Sequence, residues 1–497
     1  MAHGIDFSVG FSRSAHPGPT RSRQTMDLLV IGDFGGSAER TLTPRRVTVE
    51  NFDALLERIA PTWRTGVADD EIVTLSSFED FHPDRIATQL PEIGTLLDLR
   101  RRLQNAATYR EAADELLAGA DTGPEPAAAS ADPTPTPAAQ PGTSLFQNLI
   151  GEKATVSAKQ PETRGARQQV NRIIRDLVAP HIERGFDDNQ TQLLAIVDDS
   201  IAIVLRRALH DPVLQRLEAA WRGLHWLVTS LDIDDTLQIH MIDAAYADIA
   251  ADLAAPGGLP GDSVLYRRII EDRLNTPGER PISMIVTDYC FGRNVDELDT
   301  LGHLGALAGA AGCPLVAAGA PQLFGCDSLP AQPRASDWNC VADEIAEPWR
   351  SLRRGEHSEY VGLAAPRLLL RLPYGAKGEP TELFEFEELT SRPNHEDFLW
   401  GNPAYGCAIL SGLAFLEQDA AIAAGTYLRL DAMPLAIYDD GSGQAIMPAA
   451  ETYLSEDSAG HIARSGLMSF LSQRNADSVA LLRFQSIADP PAALRGI

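Results

Sequence analysis

Asp288 and Cys290 lie in TDYCFG (287–292), at the end of the apolar run PISMIVTDY (281–289). An acid and a thiol at the carboxyl end of a strand occupy the place where α/β enzymes set reacting groups. A cysteine nucleophile needs a neighbouring histidine or helix N-terminus to become a thiolate. The sequence shows no such neighbour, and a buried inert thiol is the favoured reading. IGDFGGS (31–37) follows a second apolar run and could turn backbone N–H groups toward an anion. It lacks the lysine of a P-loop and the third glycine of a dinucleotide turn, which favours a structural turn. FEFEE (384–388) alternates Phe384 and Phe386 with Glu385 and Glu387. Paired carboxylates can do acid–base work, but alternation is also the pattern of a half-buried strand with a solvated face, the reading preferred here. EHSEY (356–360) and NHED (394–397) mix histidine with carboxylates, without the i, i+4 histidine pair of a helical metal site. WRGLHWLV (221–228) and FLWGNPAYG (398–406) are aromatic-rich. With no basic surround they read as core or interface anchors rather than base-stacking platforms. GxSxG, HExxH, GxxxxGK[ST] and GxGxxG do not occur. The expectation is a protein that is not an enzyme, with no catalytic, cofactor-binding or metal residue and no cofactor.

The balance of charge narrows the partners. Lys and Arg number 42 against 69 Asp and Glu, a net charge of −27 over 497 residues. Such a surface repels nucleic acid and anionic lipid, so no nucleic-acid partner is expected. Hydrophobic content of 44% supplies a large core. The five cysteines, at 290, 313, 326, 340 and 407, form no CxxC pair. That argues against a disulfide framework or a zinc ribbon and suits a reducing cytosol. MAHGIDFSVGFSRSAHPG at the start has no apolar core of a signal peptide. No apolar run reaches about 18 residues, so no membrane insertion is expected.

Elements that would position these residues fall on either side of GPEPAAASADPTPTPAAQPG (123–142), a stretch with no hydrophobic pattern that reads as a semi-extended tether. Before it, MDLLVIGDFGG (26–36) predicts a buried strand at Leu28–Ile31. Phe52, Leu55, Leu56 and Ile59 share one helical face, with Asn51 as N-cap and Pro61 as stop. EIVTLSSF (71–78) is strand-like. Pro83 and Pro91 suit first helical turns, and Ile93, Leu96, Leu97 and Leu103 form a stripe. After it, VNRIIRDLVAPHI (170–182) and QLLAIVDDSIAIVLRRAL (192–209) predict helices. A further helix over 211–228 is capped by Asp211, starts at Pro212 and is lined by Leu214, Leu217, Trp221, Leu224 and Val228. Strands at 237–242, 281–289 and 313–320 alternate with helices at 246–253 and 295–312, the order of parallel β-α-β packing, and 366–375 predicts a later strand. The fold class is α/β (mixed α+β): a small α/β unit tethered to a larger α/β core.

Taken together, WRGLHWLV, TDYCFG, YVGLAAPRLLLRLPYGAKGEPTELFEFEE (360–388) and FLWGNPAYGCAI (398–409) resemble, in order and spacing, the large subunit (TssC) of the type VI secretion contractile sheath. MDLLVIGDFGG with TPRRVTVENFDALLERIAP (43–61), and LSSFEDFHPDRIATQLPEIGTLLDLRRRL (75–103), resemble the small subunit, TssB. The resemblance covers roughly 24–115 and 165–490. It divides the chain into a small-subunit-like domain at 1–118, a Pro/Ala-rich linker at 119–143 and a large-subunit-like domain at 144–497.

The resemblance implies a structural role with no active site, in the bacterial cytoplasm. In the family the two subunits form one protomer, and protomers stack around a tube and contract. The implied partners are other sheath protomers, the inner tube protein, baseplate proteins and an AAA+ unfoldase. Fusion would hold obligate partners at millimolar effective concentration and fix their stoichiometry. Two departures stand out. The family's large subunit usually continues for another small domain past the match at 465–490, which raises an adaptor that docks on the machine without polymerising as the alternative to a sheath protomer. The unfoldase-read helix of the family is only loosely matched by SLFQNLIGEKA (144–154).

Overall fold

The computed structural model describes residues 25–35, 42–65, 72–121, 189–254, 263–292, 294–339, 341–418, 428–474 and 476–496. The chain divides into two compact units. One comprises Met1–Trp63, Thr74–Pro83 and Leu209–Ile497, the other Arg64–Val73 and Asp84–Ala208. Each unit therefore draws on residues from both sides of the proline-rich stretch, whereas the division at 118 and 144 follows chain order.

The first unit is built on a nine-stranded sheet. Its strands in chain order are β1 (Met26–Gly32), β2 (Arg45–Val47), β5 (Leu237–Asp243), β6 (Met284–Phe291), β7 (Leu315–Gly319), β8 (Val361–Ala365), β11 (Arg429–Leu430), β14 (Leu467–Ser472) and β15 (Val479–Leu481). β3 (Thr62–Arg64) and β4 (Ile72–Thr74) are three-residue strands where the chain passes between units. The sheet order is β11-β15-β14-β8-β7-β6-β1-β5-β2. β14, β8, β7, β6, β1 and β5 run parallel, and β2, β15 and β11 pair antiparallel toward the two edges. This is the parallel α/β core that the alternating strands and helices predicted.

β1 reads MDLLVIG, and all seven residues are buried. A continuous apolar run is what a strand covered on both faces requires. It aligns with β5 from Met26↔Leu237 to Gly32↔Asp243 and with β6 from Leu28↔Met284 to Ile31↔Thr287. A segment from the first quarter of the chain is thus an interior strand of a sheet made mostly by residues after 188. Leu29 and Ile31 enter a core with Ile242, Ile285, Phe291, Leu298, Leu301 and Leu304. The pleat turns Leu28 and Val30 to the opposite face.

Helix Phe52–Ile59 buries its four predicted residues and ends at Ala60 in the left-handed conformation. Asn51 does not cap it through its side chain; its Oδ1 instead accepts from Thr48 N at 2.8 Å. Helix Pro212–Ser230 starts as read, with the Asp211 carboxylate accepting from Val213 N and Leu214 N. Helix Val295–Ala311 stops at Gly312, whose φ of 66° suits a residue without Cβ. The predicted strand at 366–375 shrinks to β9 (Leu368–Leu369), paired with β10 (Trp400–Gly401). FEFEE forms no strand, although Phe384 and Phe386 are buried and Glu385 and Glu387 exposed as the alternation implied. A hairpin of β12 (Ala436–Asp439) and β13 (Gln444–Met447) lies over Leu369, Phe398 and Trp400.

In the second unit, helices Pro91–Gln104 and Tyr109–Asp121 accompany Asn189–Leu209. Arg100 Nε donates to Asp198 Oδ1 at 2.6 Å, and Gln190 Nε2 donates to the Leu103 carbonyl at 2.7 Å. Leu99, not Leu97, completes the buried stripe of Ile93, Leu96 and Leu103, because it lies closer to the 3.6-residue repeat. The expected helix at 170–182, the tether, the segments 1–23 and 144–154, and Cys340 lie outside the described residues.

Candidate functional site

Of the chemistry-bearing residues of the sequence, Asp288 and the turn after β1 meet at the carboxyl ends of β1, β5 and β6, where the sheet order reverses around β1. A crevice at this place is the usual ligand site of a parallel sheet. Here it is filled from within. Asp243 Oδ1 accepts from Phe34 N at 3.0 Å, and Asp33 Oδ1 accepts from Gly35 N at 3.2 Å. Two of the backbone donors expected to face an anion at 31–37, Phe34 N and Gly35 N, are thus engaged by the protein's own carboxylates. Burial, and then the nearby Asp33 charge, push the Asp288 carboxyl up to about 7. Asn402 spans the irregular part of β6, its Nδ2 donating to the Thr287 and Tyr289 carbonyls at 3.2 and 3.1 Å.

Cys290 is exposed, while Cys313, Cys326 and Cys407 are buried. Burial pushes the Cys326 thiol up to about 11 and the Cys407 thiol higher still, the reverse of thiolate activation. His395 stacks on Trp400 with ring centroids 4.6 Å apart, and its Nε2 lies 3.2 Å from Glu451, which also holds Arg367. Among the described residues no group of three His, Cys, Asp or Glu is placed to hold a metal ion.

Helix Pro212–Ser230 carries a dense set of interactions on two faces. On one face Trp221 is fully buried, and its Nε1 donates to the Phe34 carbonyl at 3.1 Å. Its ring meets Phe34 and Phe52 edge to face at centroid distances of 5.2 and 5.6 Å. His225 meets Phe52 at 5.2 Å and stacks on Phe78 at 4.5 Å, and burial, with Arg222 nearby, lowers its basicity. A Cβ at Gly223 would run into the Tyr405 ring, so only glycine allows this approach. Phe34, Phe52 and Phe78 belong to the small-subunit-like segment. Trp221 and His225 belong to the other.

On the adjoining face Glu218 and Arg222 enter a buried ion network. Arg371 donates to Glu218 Oε1 at 2.7 Å and to both Glu388 oxygens at 2.7 and 3.0 Å. Arg222 donates to Glu218 at 2.7 Å and to the Tyr374 hydroxyl at 2.8 Å, and Tyr374 N donates to Glu388 at 2.7 Å. The Tyr374 hydroxyl in turn donates to the Phe81 carbonyl at 3.4 Å. Burial alone would raise the Glu388 carboxyl. The Arg371 charge and the hydrogen bonds from Arg371 and Tyr374 instead hold it down to about 2. Burial opposes the charge on Arg371, but Glu218 and Glu388 outweigh it and hold the guanidinium protonated. The sequence reading missed Glu218, Arg371 and Glu388. Arginine in the apolar run LLLRLPYG was the available signal, since such a charge needs carboxylate partners in its surroundings.

These side chains bind each other, and what their geometry accomplishes is to hold two distant stretches of chain together, the arrangement of a structural packing site. The comparisons agree. The tail-sheath N-terminal domain family of EvpB and VipB matches residues 191–488, and the type VI secretion VipA family matches 24–118. The type VI secretion system sheath protein TssC1 of Pseudomonas aeruginosa PAO1 is 29% identical over 364 residues, covering 70% of this chain and 71% of that protein. The chain belongs to the type VI secretion sheath family, with a small-subunit (TssB-like) and a large-subunit (TssC-like) segment in one polypeptide. Members of this family assemble with other sheath subunits. No helix among the described residues is long and apolar enough to cross a membrane.

Proposed function

We propose that the chain is a small-plus-large sheath protomer, with 1–118 as the small-subunit part, 119–143 as linker and 144–497 as the large-subunit part. It acts mechanically, stacking with copies of itself in the bacterial cytoplasm around an inner tube. Baseplate proteins and an AAA+ unfoldase are its further partners, and it has no catalytic site, metal or cofactor. The observation that carries this reading is β1. A small-subunit strand lies between two large-subunit strands with seven residues in register on one side, so the two segments share one sheet. The saturated ion network and the inward-facing carboxylates at the sheet's carboxyl ends support a packing role over a reactive one. Electron microscopy of the chain co-expressed with its tube protein tests the proposal. Hollow tubes with a helical repeat and one chain per lattice position are expected. Tube protein and chain that stay unassembled and separate would overturn it.

A further inference from the structure

A half-open pocket of about 200 Å³ lies beside helix Pro212–Ser230, where the aromatic cluster and the ion network meet. Phe78, from the small-subunit segment, lines it together with Arg222, His225 and Trp226 of the helix and with Leu369 and Met433. The His225 ring stacks on Phe78 with 18° between the planes, and the Arg222 guanidinium lies 5.0 Å from the centroid of the same ring. A guanidinium carries five N–H donors. Arg222 directs Nε to Glu218 and Nη2 to the Tyr374 hydroxyl, and among the described residues its Nη1 has no acceptor. Glu218 Oε1 is shared with Arg371, so Arg222 has no carboxylate of its own. Aromatic and apolar side chains around one cation with unspent donors are the make-up of a small-ligand site. We propose that this pocket binds a single-ring aromatic monocarboxylate, with the ring against Phe78, His225 and Trp226 and the carboxylate on Arg222 Nη1.

Size, shape and charge each narrow the ligand. A dry cavity of about 150 Å³ takes a benzene ring, and the larger volume here leaves room for one carboxylate beyond it. The Met433 thioether suits a ring edge. Burial, and then the Arg222 charge, lower the basicity of His225, so Arg222 is the one cation among the lining residues. A carboxylate on a guanidinium makes charge-assisted bonds about twice as strong as neutral ones. A second carboxylate would meet no further cation there and would face a chain of net charge −27, so a single negative charge is the match. The ring touches Phe78 of one segment and the helix of the other. Such a ligand binds the joined form and raises its stability by mass action. The inference rests on the pocket and holds whether or not the protein forms a sheath.

Calorimetric titration of the full chain with benzoate tests it. One benzoate per chain is expected, with a dissociation constant of roughly 1 mM or tighter, and a melting temperature that rises with ligand. Benzamide, the same shape without the charge, should bind at least about tenfold more weakly. Thr229→Trp places a large ring at an exposed position on the pocket rim and should weaken benzoate by at least about tenfold at an unchanged melting temperature. Trp226→Phe keeps a ring on the wall and should remove most of the benzoate-induced change in tryptophan fluorescence, a reading that leaves the rim intact. No saturable binding at about 10 mM benzoate overturns the inference. Benzamide binding as tightly as benzoate overturns Arg222 as the anchor. Undiminished binding to folded Thr229→Trp, or a fluorescence change that survives in Trp226→Phe, puts the ligand elsewhere and overturns the pocket.

Discussion

Trp221→Ala should cost more than an ordinary core truncation, because the side chain does three separate things. It is fully buried, and removing a buried Trp typically destabilises by about 3–5 kcal/mol. Its two edge-to-face ring pairs, at 5.2 and 5.6 Å, each add about 0.5–1.5 kcal/mol beyond area. Its Nε1 satisfies the Phe34 carbonyl, and a buried acceptor left alone costs about 1–3 kcal/mol. These effects overlap, and together they place Trp221→Ala near 5 kcal/mol, a large part of a typical stability of about 5–15 kcal/mol. Trp221→Phe keeps much of the ring packing and loses the donor, so it should fall near 2 kcal/mol. Urea unfolding followed by far-ultraviolet circular dichroism measures both. A Trp221→Ala midpoint equal to wild type would refute the reasoning, since it would mean that Trp221 does not hold the small-subunit segment in place.

Other perturbations give equally definite outcomes. Asp288→Asn should be stabilising at pH 8 by about 2 kcal/mol. The folded carboxyl titrates near 7 against the usual 3.8, so wild-type stability is full below pH 4 and falls as pH rises toward 7. The full shift sets an upper limit of about 4 kcal/mol, halved because the group keeps some contact with water. The gap between the two proteins should close by pH 4 in thermal melts. Glu388→Ala leaves the buried Arg371 with Glu218 as its remaining carboxylate partner and should cost about 3–5 kcal/mol. Glu388 is held near 2 against the usual 4.5, so its contribution is present above about pH 4.5 and lost toward pH 2; Glu388→Gln should flatten that acid limb. Chains of 1–118 and 144–497 expressed separately should co-elute on a sizing column, and shortening 123–142 by half should leave the melting temperature nearly unchanged. Hydrolase and nucleotide-binding screens on the intact chain should read background; stoichiometric ATP binding would sink the non-catalytic reading.

Much of the fold was legible where local pattern and burial coincide. Helix Pro212–Ser230 announced itself through Asp211, Pro212 and its apolar face, and β1 through an uninterrupted apolar run. What the run could not reveal was its partner. Pairing across more than 200 residues is fixed by tertiary packing, so a strand assigned to a separate small unit proved to lie inside the large sheet. Residues 366–375 looked like a full strand because of their run of leucines, but Arg371 is turned into the ion network and, of the segment, Leu368–Leu369 alone form a ladder. Glu388 looked like one more solvated carboxylate in FEFEE. Its burial depends on Arg371 and Tyr374, neither of which is a helical or strand neighbour.

The central claim is that β1, from the small-subunit segment, is an interior strand of the sheet built by the large-subunit segment. Amide hydrogen exchange on the intact chain tests this most directly, because amides of an interior strand open only with the whole sheet. The amides of Leu28–Ile31 should fall in the same slowest class as those of Ile239–Ile242 and Ile285–Thr287. Exchange at Leu28–Ile31 orders of magnitude faster than in those two strands would contradict it.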